Sequence, residues 1–307
     1  MILRHLEFLA ALAREKHFAR AAKSCKVTQS TLSAGIKQME ESLGVLLVER
    51  GQRFVGFTPE GEQVLDWAQR VLTDYASLVQ SLAEMRSGLS GYLRIGAIPA
   101  TLPILSTLTA AFAKQHPQIR TVIRSLSSIE IQRGIDEHTL DIGVTYLDNE
   151  PLARVRRLRL YAERYIFLSH EQKLGKKKKS ITWAEAATHP LCLLTGDMQN
   201  RRILDAQFQK AKVQVHAAIE ANSLITLWSH LKLGHWSTIV PNSFLSLIGN
   251  SKGMAILPLI EPETEQTVGL IATDRDPLPP ATRAFLDLAK QASMRDEIEQ
   301  QLASSGA

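Results

Sequence analysis

The stretch from residue 17 to residue 43, HFARAAKSCKVTQSTLSAGIKQMEESL, has side chains suited to contacting DNA. Its small residues predict a helix over 18–24 and a tight turn, followed by a second helix that Thr28 caps. On the first turns of that second helix, short polar side chains can reach base edges or phosphates, and a lysine lies one turn further on. These candidates are Gln29, Ser30, Thr31, Ser33 and Lys37.

Gln29 is the candidate base reader in this set. Its amide offers both a donor and an acceptor, which matches the major-groove edge of adenine. The alternative is a solvated glutamine near a capped helix end.

The residues after Gly44, VLLVERGQRFVGFTPEG, predict a short hairpin with Gly51 near its turn, which would form a wing. Arg50 and Arg53 on this wing suit phosphate or minor-groove contacts, although two exposed arginines in a hairpin would look the same. Residues 1–57 hold nine Lys or Arg against five Glu, a net charge of +4, whereas residues 58–90 sum to −3. This distribution is expected if only the first segment approaches phosphates.

Two helical patterns flank these residues. Residues 3–16 predict an amphipathic helix, and the third helix of the chain, after Thr28, is expected to bury Leu32, Ile36, Met39 and Leu43. A later helix over 59–87 steps by four and three through Val64, Ala68, Val71, Tyr75, Leu78, Leu82 and Met85. Such a heptad seam requires a partner helix, so we predict dimerisation through it. A hydrophobic stripe that packs on its own domain is the alternative.

Beyond SGLSG at 87–91, strands and helices alternate, which predicts an α/β fold with a mostly parallel sheet. The series repeats after about residue 163, so two lobes are expected. The predicted domains are a winged helix-turn-helix at 1–58, a linker helix at 59–88 and an effector-binding domain at 89–307. Lobe I would comprise about 91–161 and 267–300, and lobe II about 162–266.

Polar residues recur at the strand-to-helix joints of both lobes, where two-lobed α/β proteins bind ligands. They are Thr101, Ser127, Ser128, Thr145, Thr195 and Asn222. The alternative for each is a simple cap or turn residue, and Ser127 fits that alternative nearly as well because Glu130 completes a capping box. The coincidence of several such residues at equivalent joints favours a cleft. Helix amino termini favour anions, and Arg201 or Arg202 would add positive charge. A small carboxylate or oxyanion is therefore the expected effector.

Composition and motifs exclude several other classes. Two cysteines, Cys25 and Cys192, cannot form a disulfide framework, which predicts a reducing compartment. Neither a signal-peptide core nor an apolar run of about 18 residues is present, which predicts a cytoplasmic protein without membrane contact. His230 and His235 are five residues apart, a poor metal-ligand spacing. No nucleophile, phosphate-loop or zinc-hydrolase motif occurs, so neither an enzyme nor a cofactor is expected.

The succession of helix, helix-turn-helix, wing, heptad helix and two-lobed α/β segment closely resembles the LysR-type family of bacterial transcriptional regulators. The resemblance covers the whole chain. It rests on Phe8, Ala21, Ala22, Val27, Gln29, Ser30, Leu32, Ser33, Ile36, Glu40, Leu43, Gly44, Arg50, Thr58, Pro59, Gly61, Leu65, Gly134, Leu140, Asp141, Gly234 and Pro241. Departures are Ser30 where proline is common, Leu47 and Val48 for a Leu-Phe pair, and His235 and Trp236 in a loop of small residues.

The resemblance implies a regulator that binds double-stranded promoter DNA under the control of a small-molecule effector held between the two lobes. It also implies an N-terminal winged helix-turn-helix, a periplasmic-binding-protein-like (type 2) effector domain, and linker helices that form an antiparallel homodimer and often a homotetramer. Activator and repressor roles both stay open. Two rivals use the same cleft: a transporter's solute-binding protein, which the basic winged head and the missing signal peptide oppose, and an enzyme, which no spacing of reactive residues supports.

Overall fold

The computed structural model describes residues 3–49, 54–148, 152–174, 178–248 and 253–304. The chain divides into two compact units, Met1–Gly88 and Leu89–Ala307. We refer to them, after the functions that the sequence predicts, as the DNA-binding unit and the effector unit.

Four helices build the DNA-binding unit: α1 (Leu3–Glu15), α2 (Phe18–Ser24), α3 (Gln29–Leu43) and α4 (Pro59–Ser87). Ala21 and Ala22 are fully buried, and their small side chains allow close helix packing. A Cβ on Gly35 would lie 2.7 Å from the Phe8 ring, so α1 and α3 also meet at a glycine. Leu32, Ile36 and Met39 are buried as expected, but Leu43 is 42% exposed. The expectation for Leu43 was wrong because it is the last residue of α3, just before the left-handed Gly44.

The wing begins with a single antiparallel bridge between Val48 and Phe57. Glu40 supports it from α3, since its Oε1 accepts hydrogen bonds from the backbone N–H groups of Leu47 (2.8 Å) and Val48 (3.2 Å). Residues 50–53 lie outside the described residues, so the predictions for Arg50 and Arg53 at the wing tip stay predictions.

Helix α4 changes environment along its length. Leu65 and Ala68 are buried in the core of the DNA-binding unit, whereas the next four seam residues are exposed. These are Val71, Tyr75, Leu78 and Leu82, and Leu78 is 57% exposed. The side chain of the last seam residue, Met85, lies outside the described part of the chain. The second half of the helix therefore carries an apolar stripe without cover from its own unit.

The effector unit alternates strands and helices. Its elements are β1 (Gly91–Ala97), α5 (Leu102–Gln115), β2 (Ile119–Ser125), α6 (Ser128–Asp136), β3 (Ile142–Tyr146), β4 (Val155–His170), β5 (Ile181–Thr182), α7 (Trp183–Ala186), β6 (Leu191–Leu194), α8 (Gln199–Lys210), β7 (Ile219–Ala221), α9 (Leu224–Leu231), β8 (Ser237–Pro241), α10 (Leu245–Ile248), β9 (Met254–Ile260), β10 (Glu265–Thr273), α11 (Pro280–Lys290) and α12 (Ala292–Ser304). Short 3-10 turns at Pro99–Thr101 and Asn242–Phe244 follow β1 and β8.

The strand order is β2-β1-β3-β10-β4-β8-β6-β7, and β9 pairs with β4 and β5. Pairs β1–β2, β1–β3, β6–β7 and β6–β8 are parallel, so each lobe has a parallel sheet. The strands that connect the lobes, β4 and β10, pair antiparallel to each other.

Strand β4 belongs to both lobes. From Val155 to Arg164 it pairs with β10, and from Tyr165 onward it pairs with β8 and β9. The sequence predicted only a strand near 165–169 here. Its first half, VRRLRL, is rich in arginine and lacks the apolar pattern of a strand, because it is the edge of its sheet and charged edges are ordinary.

No helix in the described part of the chain is both long enough and apolar enough to span a membrane.

Candidate DNA-reading and effector-binding sites

The start of α3 is organised by Thr28. Its Oγ1 accepts a hydrogen bond from the Thr31 N–H at 3.2 Å, and it is also hydrogen-bonded to the hydroxyls of Ser30 (2.9 Å) and Thr31 (2.8 Å). The capping function assigned to Thr28 fits this geometry. The hydroxyls of two candidate DNA-contacting residues are thereby tied to the cap.

The candidate readers differ in exposure. Gln29, Ser30 and Thr31 are exposed, Ser33 is half-buried, and Lys37 is exposed with its Nζ 3.6 Å from a Glu41 carboxylate oxygen. Gln29, Ser33 and Lys37 are four residues apart and share one face of α3. The first turn of α3 has no acidic residue, so nothing there repels a phosphate.

In the effector unit, two hydrogen bonds join the lobes at the start of α8. Thr145, at the end of β3, donates its hydroxyl to Gln199 Oε1 at 3.0 Å. Arg202 of α8 donates from Nη2 to Ser128 Oγ, at the start of α6, at 3.1 Å. The structure thus brings the predicted residues Ser128 and Thr145 together with α8.

The start of α8 carries polar atoms without partners. Its N-cap residue, Met198, has no side-chain cap. Gln199 Nε2, Asn200 Oδ1 and Thr195 Oγ1 are buried and have no hydrogen-bond partner among the described residues. Gln199 and Asn200 are only 2% and 4% exposed. A buried polar atom without a partner costs about 1–3 kcal/mol, so this group of atoms marks a place where a ligand would be stabilised.

Sequence reasoning missed Gln199 and Asn200. The sequence did contain a signal, because Gln199, Ile203 and Gln207 are four residues apart, which places two amides on the same helix face as an apolar residue. All three side chains are buried on the inner face of α8. Amides on the apolar face of a helix indicate that this face contacts polar groups as well as the hydrophobic core.

The other predicted effector residues make local bonds or lie apart. Thr101 is fully buried and donates its hydroxyl to the Ile98 carbonyl oxygen at 3.0 Å. Ser127 forms the capping box with Glu130. Asn222 is exposed just after β7, the outermost strand of its lobe. Thr101 and Ser127 therefore stabilise local structure through these hydrogen bonds, whether or not a ligand binds.

The two arginines of α8 differ in their pairing. Arg201 pairs with Asp205 (2.8 Å) and Glu220 (2.5 Å). Arg202 donates to the backbone carbonyls of Gly196 and Asp197 as well as to Ser128. Arg201 is thus neutralised by carboxylates, and Arg202 is the guanidinium that reaches lobe I.

A fully buried carboxylate, Glu163, lies on β4 close to this region. The Tyr146 hydroxyl donates to its Oε1, and the Ser243 hydroxyl donates to its Oε2 at 3.1 Å. Burial raises the pKa of Glu163 to about 7, and the hydroxyl donors only partly oppose this shift. Sequence reasoning missed this residue too, although a glutamate within YAERYIFL is a single acidic charge in a largely apolar run.

The cysteines and histidines have ordinary surroundings. Cys25 is half-buried in the DNA-binding unit, and Cys192 is fully buried in β6, where burial raises its pKa to about 11. His230 Nδ1 lies 2.8 Å from the Thr226 carbonyl oxygen, and its ring packs against Trp236. Within the described ranges, no group of three or more His, Cys, Asp or Glu could hold a metal ion.

Comparisons with known proteins cover both units. Residues 3–62 match the family model "Bacterial regulatory helix-turn-helix protein, lysR family", and residues 86–294 match "LysR substrate binding domain". The DNA-binding transcriptional dual regulator OxyR of Escherichia coli (strain K12) is 30% identical over 280 residues, which is 91% of each chain. The HTH-type transcriptional regulator EstR of Acinetobacter baylyi is 40% identical over 146 residues, 47% of this chain and 48% of EstR.

Solved structures agree. A full-length OxyR variant from Pseudomonas aeruginosa has a TM-score of 0.77 at 26% identity, and the match covers 96% of each chain. CbnR in complex with its target DNA has a TM-score of 0.65 at 20% identity, covers 94% of this chain and 99% of CbnR, and supports the fold alone.

These matches confirm the predicted family, the fold class and the general function of effector-modulated transcription regulation. An N-terminal helix-turn-helix is followed by a C-terminal effector-binding domain. The chain belongs to the LysR family of DNA-binding transcriptional regulators.

Proposed function

We propose that this regulator reads promoter DNA with Gln29, Ser30, Thr31, Ser33 and Lys37 of α3, and that Arg50 and Arg53 add backbone contacts from the wing. Exposure of the first three side chains and the absence of acidic residues in the first turn of α3 support this proposal. Gln29 is the base reader, and Lys37 contacts phosphate.

The effector is a small molecule with an anionic group that binds between the lobes at the start of α8. The observation that carries this proposal is the set of buried, unpartnered polar atoms Gln199 Nε2, Asn200 Oδ1 and Thr195 Oγ1 beside an uncapped helix amino terminus. Free N–H groups and the helix dipole favour an anion there. Ser128 and Thr145 complete the site from lobe I. Thr101, Ser127 and Asn222 are secondary candidates, since the first two already have local bonds.

Reversible ligand binding, rather than thiol oxidation, carries the signal. Some curated relatives are named hydrogen peroxide-inducible genes activators, such as that of Haemophilus influenzae, which is 29% identical over 292 residues. In this chain, Cys192 is buried with a raised pKa, and Cys25 belongs to the other unit. A thiol needs access and thiolate character to react with an oxidant, and Cys192 has neither.

A homodimer forms through the exposed half of α4, and two dimers join as a homotetramer. The uncovered stripe from Val71 to Leu82 supports a helix partner of the same chain, since a sustained four-three spacing matches a second such helix. The regulator acts in the cytoplasm and catalyses no reaction, as its kinship with transcription regulators supports.

The test combines ligand screening with operator binding. A thermal-shift screen of small carboxylates should identify an effector, because a ligand at 100 times its Kd stabilises a protein by about 2.7 kcal/mol. Ser128→Ala with Thr145→Val should then abolish the effector's influence on operator binding and leave basal affinity unchanged. Ser229→Ala, which removes an exposed hydroxyl bonded within α9, is the matched control. A full response in the double variant would contradict the assigned site.

A further inference from the structure

Glu163 lies where β4 passes from one lobe to the other. It is opposite Gln266 of β10, and two residues later Tyr165 is already paired with Pro241 of β8. A fully buried carboxylate is rare unless it is paired with a cation. Its position makes it part of the junction between the lobes.

No cation balances this carboxylate among the groups that shift its pKa. Those groups are the hydroxyls of Tyr146, Ser243 and Tyr161, and the pKa of each nearby tyrosine is raised by burial and by Glu163 itself. Arg164, the next residue, is exposed and pairs with Glu265 at 3.3 Å. The charged residues on the neighbouring helices α11 and α12 are exposed: Arg283, Asp287, Lys290, Arg295, Asp296, Glu297 and Glu299. On α8, Arg201 is held by Asp205 and Glu220, and Arg202 by backbone carbonyls and Ser128.

The Ser243 hydroxyl has one hydrogen and two acceptors within reach. Glu163 Oε2 lies at 3.1 Å and the Ala100 carbonyl oxygen at 3.2 Å. An ionised carboxylate is the stronger acceptor and takes this hydrogen. A protonated Glu163 can donate its own O–H to Ser243 Oγ, and Ser243 then donates to Ala100. One proton therefore decides whether Ser243 holds the Pro99–Thr101 turn.

A second hydrogen-bonded path links Glu163 to the start of α8. Asn200 Nδ2 donates to the Tyr165 hydroxyl at 3.4 Å, and Tyr165 donates to the Tyr146 hydroxyl at 3.3 Å. Tyr146 in turn donates to Glu163. Every donor points toward the carboxylate, and such chains strengthen cooperatively. The same group is thus connected to Thr101 on one side and to the proposed effector site on the other.

We propose that Glu163 is a proton switch of the effector cleft: when it takes up a proton, Ser243 turns to Ala100 and secures the turn that carries Thr101, and when it loses the proton the turn is released. This inference rests on the proposed function in assigning the cleft to the effector. Because linkage is reciprocal, effector affinity then depends on pH around neutrality, and effector binding changes the proton affinity of Glu163.

Hydrogen exchange on the full-length protein tests the switch without any ligand or DNA. After correction for intrinsic rates, the Thr101 and Leu102 amides of the wild type should be roughly five- to tenfold better protected at pH 6 than at pH 8, as expected for one gained hydrogen bond. Glu163→Gln, which is neutral at both pH values, should give high protection at both. Ser243→Ala should give low protection at both.

Equal wild-type protection at the two pH values, or a pH dependence retained in Glu163→Gln, would overturn the proposal. Infrared spectroscopy of the wild type alone provides a second measurement if a variant fails to fold. A buried carboxylic acid C=O band should be present at pH 6 and lost by pH 8, and a band that is absent at pH 6 would also overturn it. A protein that shows this titration but binds no effector would refute the proposed function and leave the switch intact.

Discussion

The two units hold their functional polar groups in opposite environments. At the start of α3, Gln29, Ser30 and Thr31 are exposed, whereas at the start of α8, Gln199 and Asn200 are almost completely buried. Exposed side chains such as Gln29 contribute little to the packing of the fold, so replacing them should change DNA binding and leave folding nearly unaffected. Buried groups are part of the hydrogen bonding of the fold itself. The difference predicts that substitutions will separate binding from stability in the first unit and couple them in the second.

The largest expected effect concerns the exposed half of α4, where the DNA-binding unit offers an apolar surface instead of a polar one. Leu78→Glu with Leu82→Glu should leave monomers in sedimentation experiments, because self-association would bury unpaired charges that cost several kcal/mol each. We expect association to weaken roughly a hundredfold or more. Ala76→Glu, an exposed position away from the seam, is the control. An intact oligomer in the double variant would refute the heptad interpretation.

A smaller effect is expected at the buried carboxylate Glu163, which should make the stability of the effector unit depend on pH. The pKa of Glu163 is about 7 in the folded protein, against an ordinary value of 4.5 for a glutamate in an unfolded chain. Because the folded pKa is raised, the stability that the protonated acid contributes is complete below pH 4.5 and is lost as the pH rises through 7. At about 1.4 kcal/mol per pH unit, the loss should total about 3 kcal/mol.

Urea unfolding of wild type and Glu163→Gln at several pH values measures this loss. Trp183, Trp228 and Trp236 belong to the effector unit and only Trp67 to the other, so tryptophan fluorescence follows mainly the unfolding of the effector unit. The stability difference between the two proteins should change between about pH 5 and pH 7. Parallel pH profiles would show that the pKa of Glu163 is not raised in the folded protein.

On the exposed side of the comparison, Gln29→Ala should weaken specific operator binding by about 1–3 kcal/mol without changing the unfolding free energy. Lys37→Ala should instead weaken binding to all sequences and reduce the salt dependence. Fluorescence anisotropy with operator and random DNA measures both effects. If Gln29→Ala weakens both DNAs equally, Gln29 does not read a base.

The smallest effect is expected at Thr28, which caps α3 and does not read DNA in this interpretation. Thr28→Ala should destabilise the DNA-binding unit by about 1 kcal/mol, whereas Thr28→Ser keeps the hydroxyl and should be nearly neutral. Urea unfolding followed by circular dichroism measures the change. A large loss of specific binding in both variants would assign Thr28 to DNA contact after all.

The same contrast explains what the sequence predicts well. The periodicity of α1, α3 and α4 and both capping boxes depend on neighbours a few residues away, and the helices and boxes occur where these patterns indicate. Contacts between Thr145 and Gln199, or between Ser128 and Arg202, join residues 54 and 74 positions apart. No local pattern specifies such pairs, because they depend on how two lobes meet.

Charged residues also explain two features that sequence reasoning missed, the first half of β4 and the buried Glu163. The arginine-rich first half of β4 does not read as a strand. The sequence also does not predict β9 or α12, but charge does not explain β9, which has no charged residue and pairs with both β4 and β5. Strand assignment depends on apolar alternation, and an edge strand does not need it. Glu163 escapes notice for the converse reason, since a single glutamate in a strand is ordinarily solvent-exposed.

The pairing of strand β4 in both lobes affects how the lobes can move. Because one continuous strand is hydrogen-bonded to β10 up to Arg164 and to β8 from Tyr165, neither half-sheet has to break a bond when the lobes rotate. A rotation of one lobe against the other would therefore be taken up as torsion in the peptide units between Arg164 and Tyr165. Because the outer edges of the lobes lie far from this point, a twist of a few degrees here would displace those edges by a much larger distance. Opening of the cleft would thus leave both sheets intact, but it would have to break the Thr145–Gln199 and Arg202–Ser128 hydrogen bonds between the lobes.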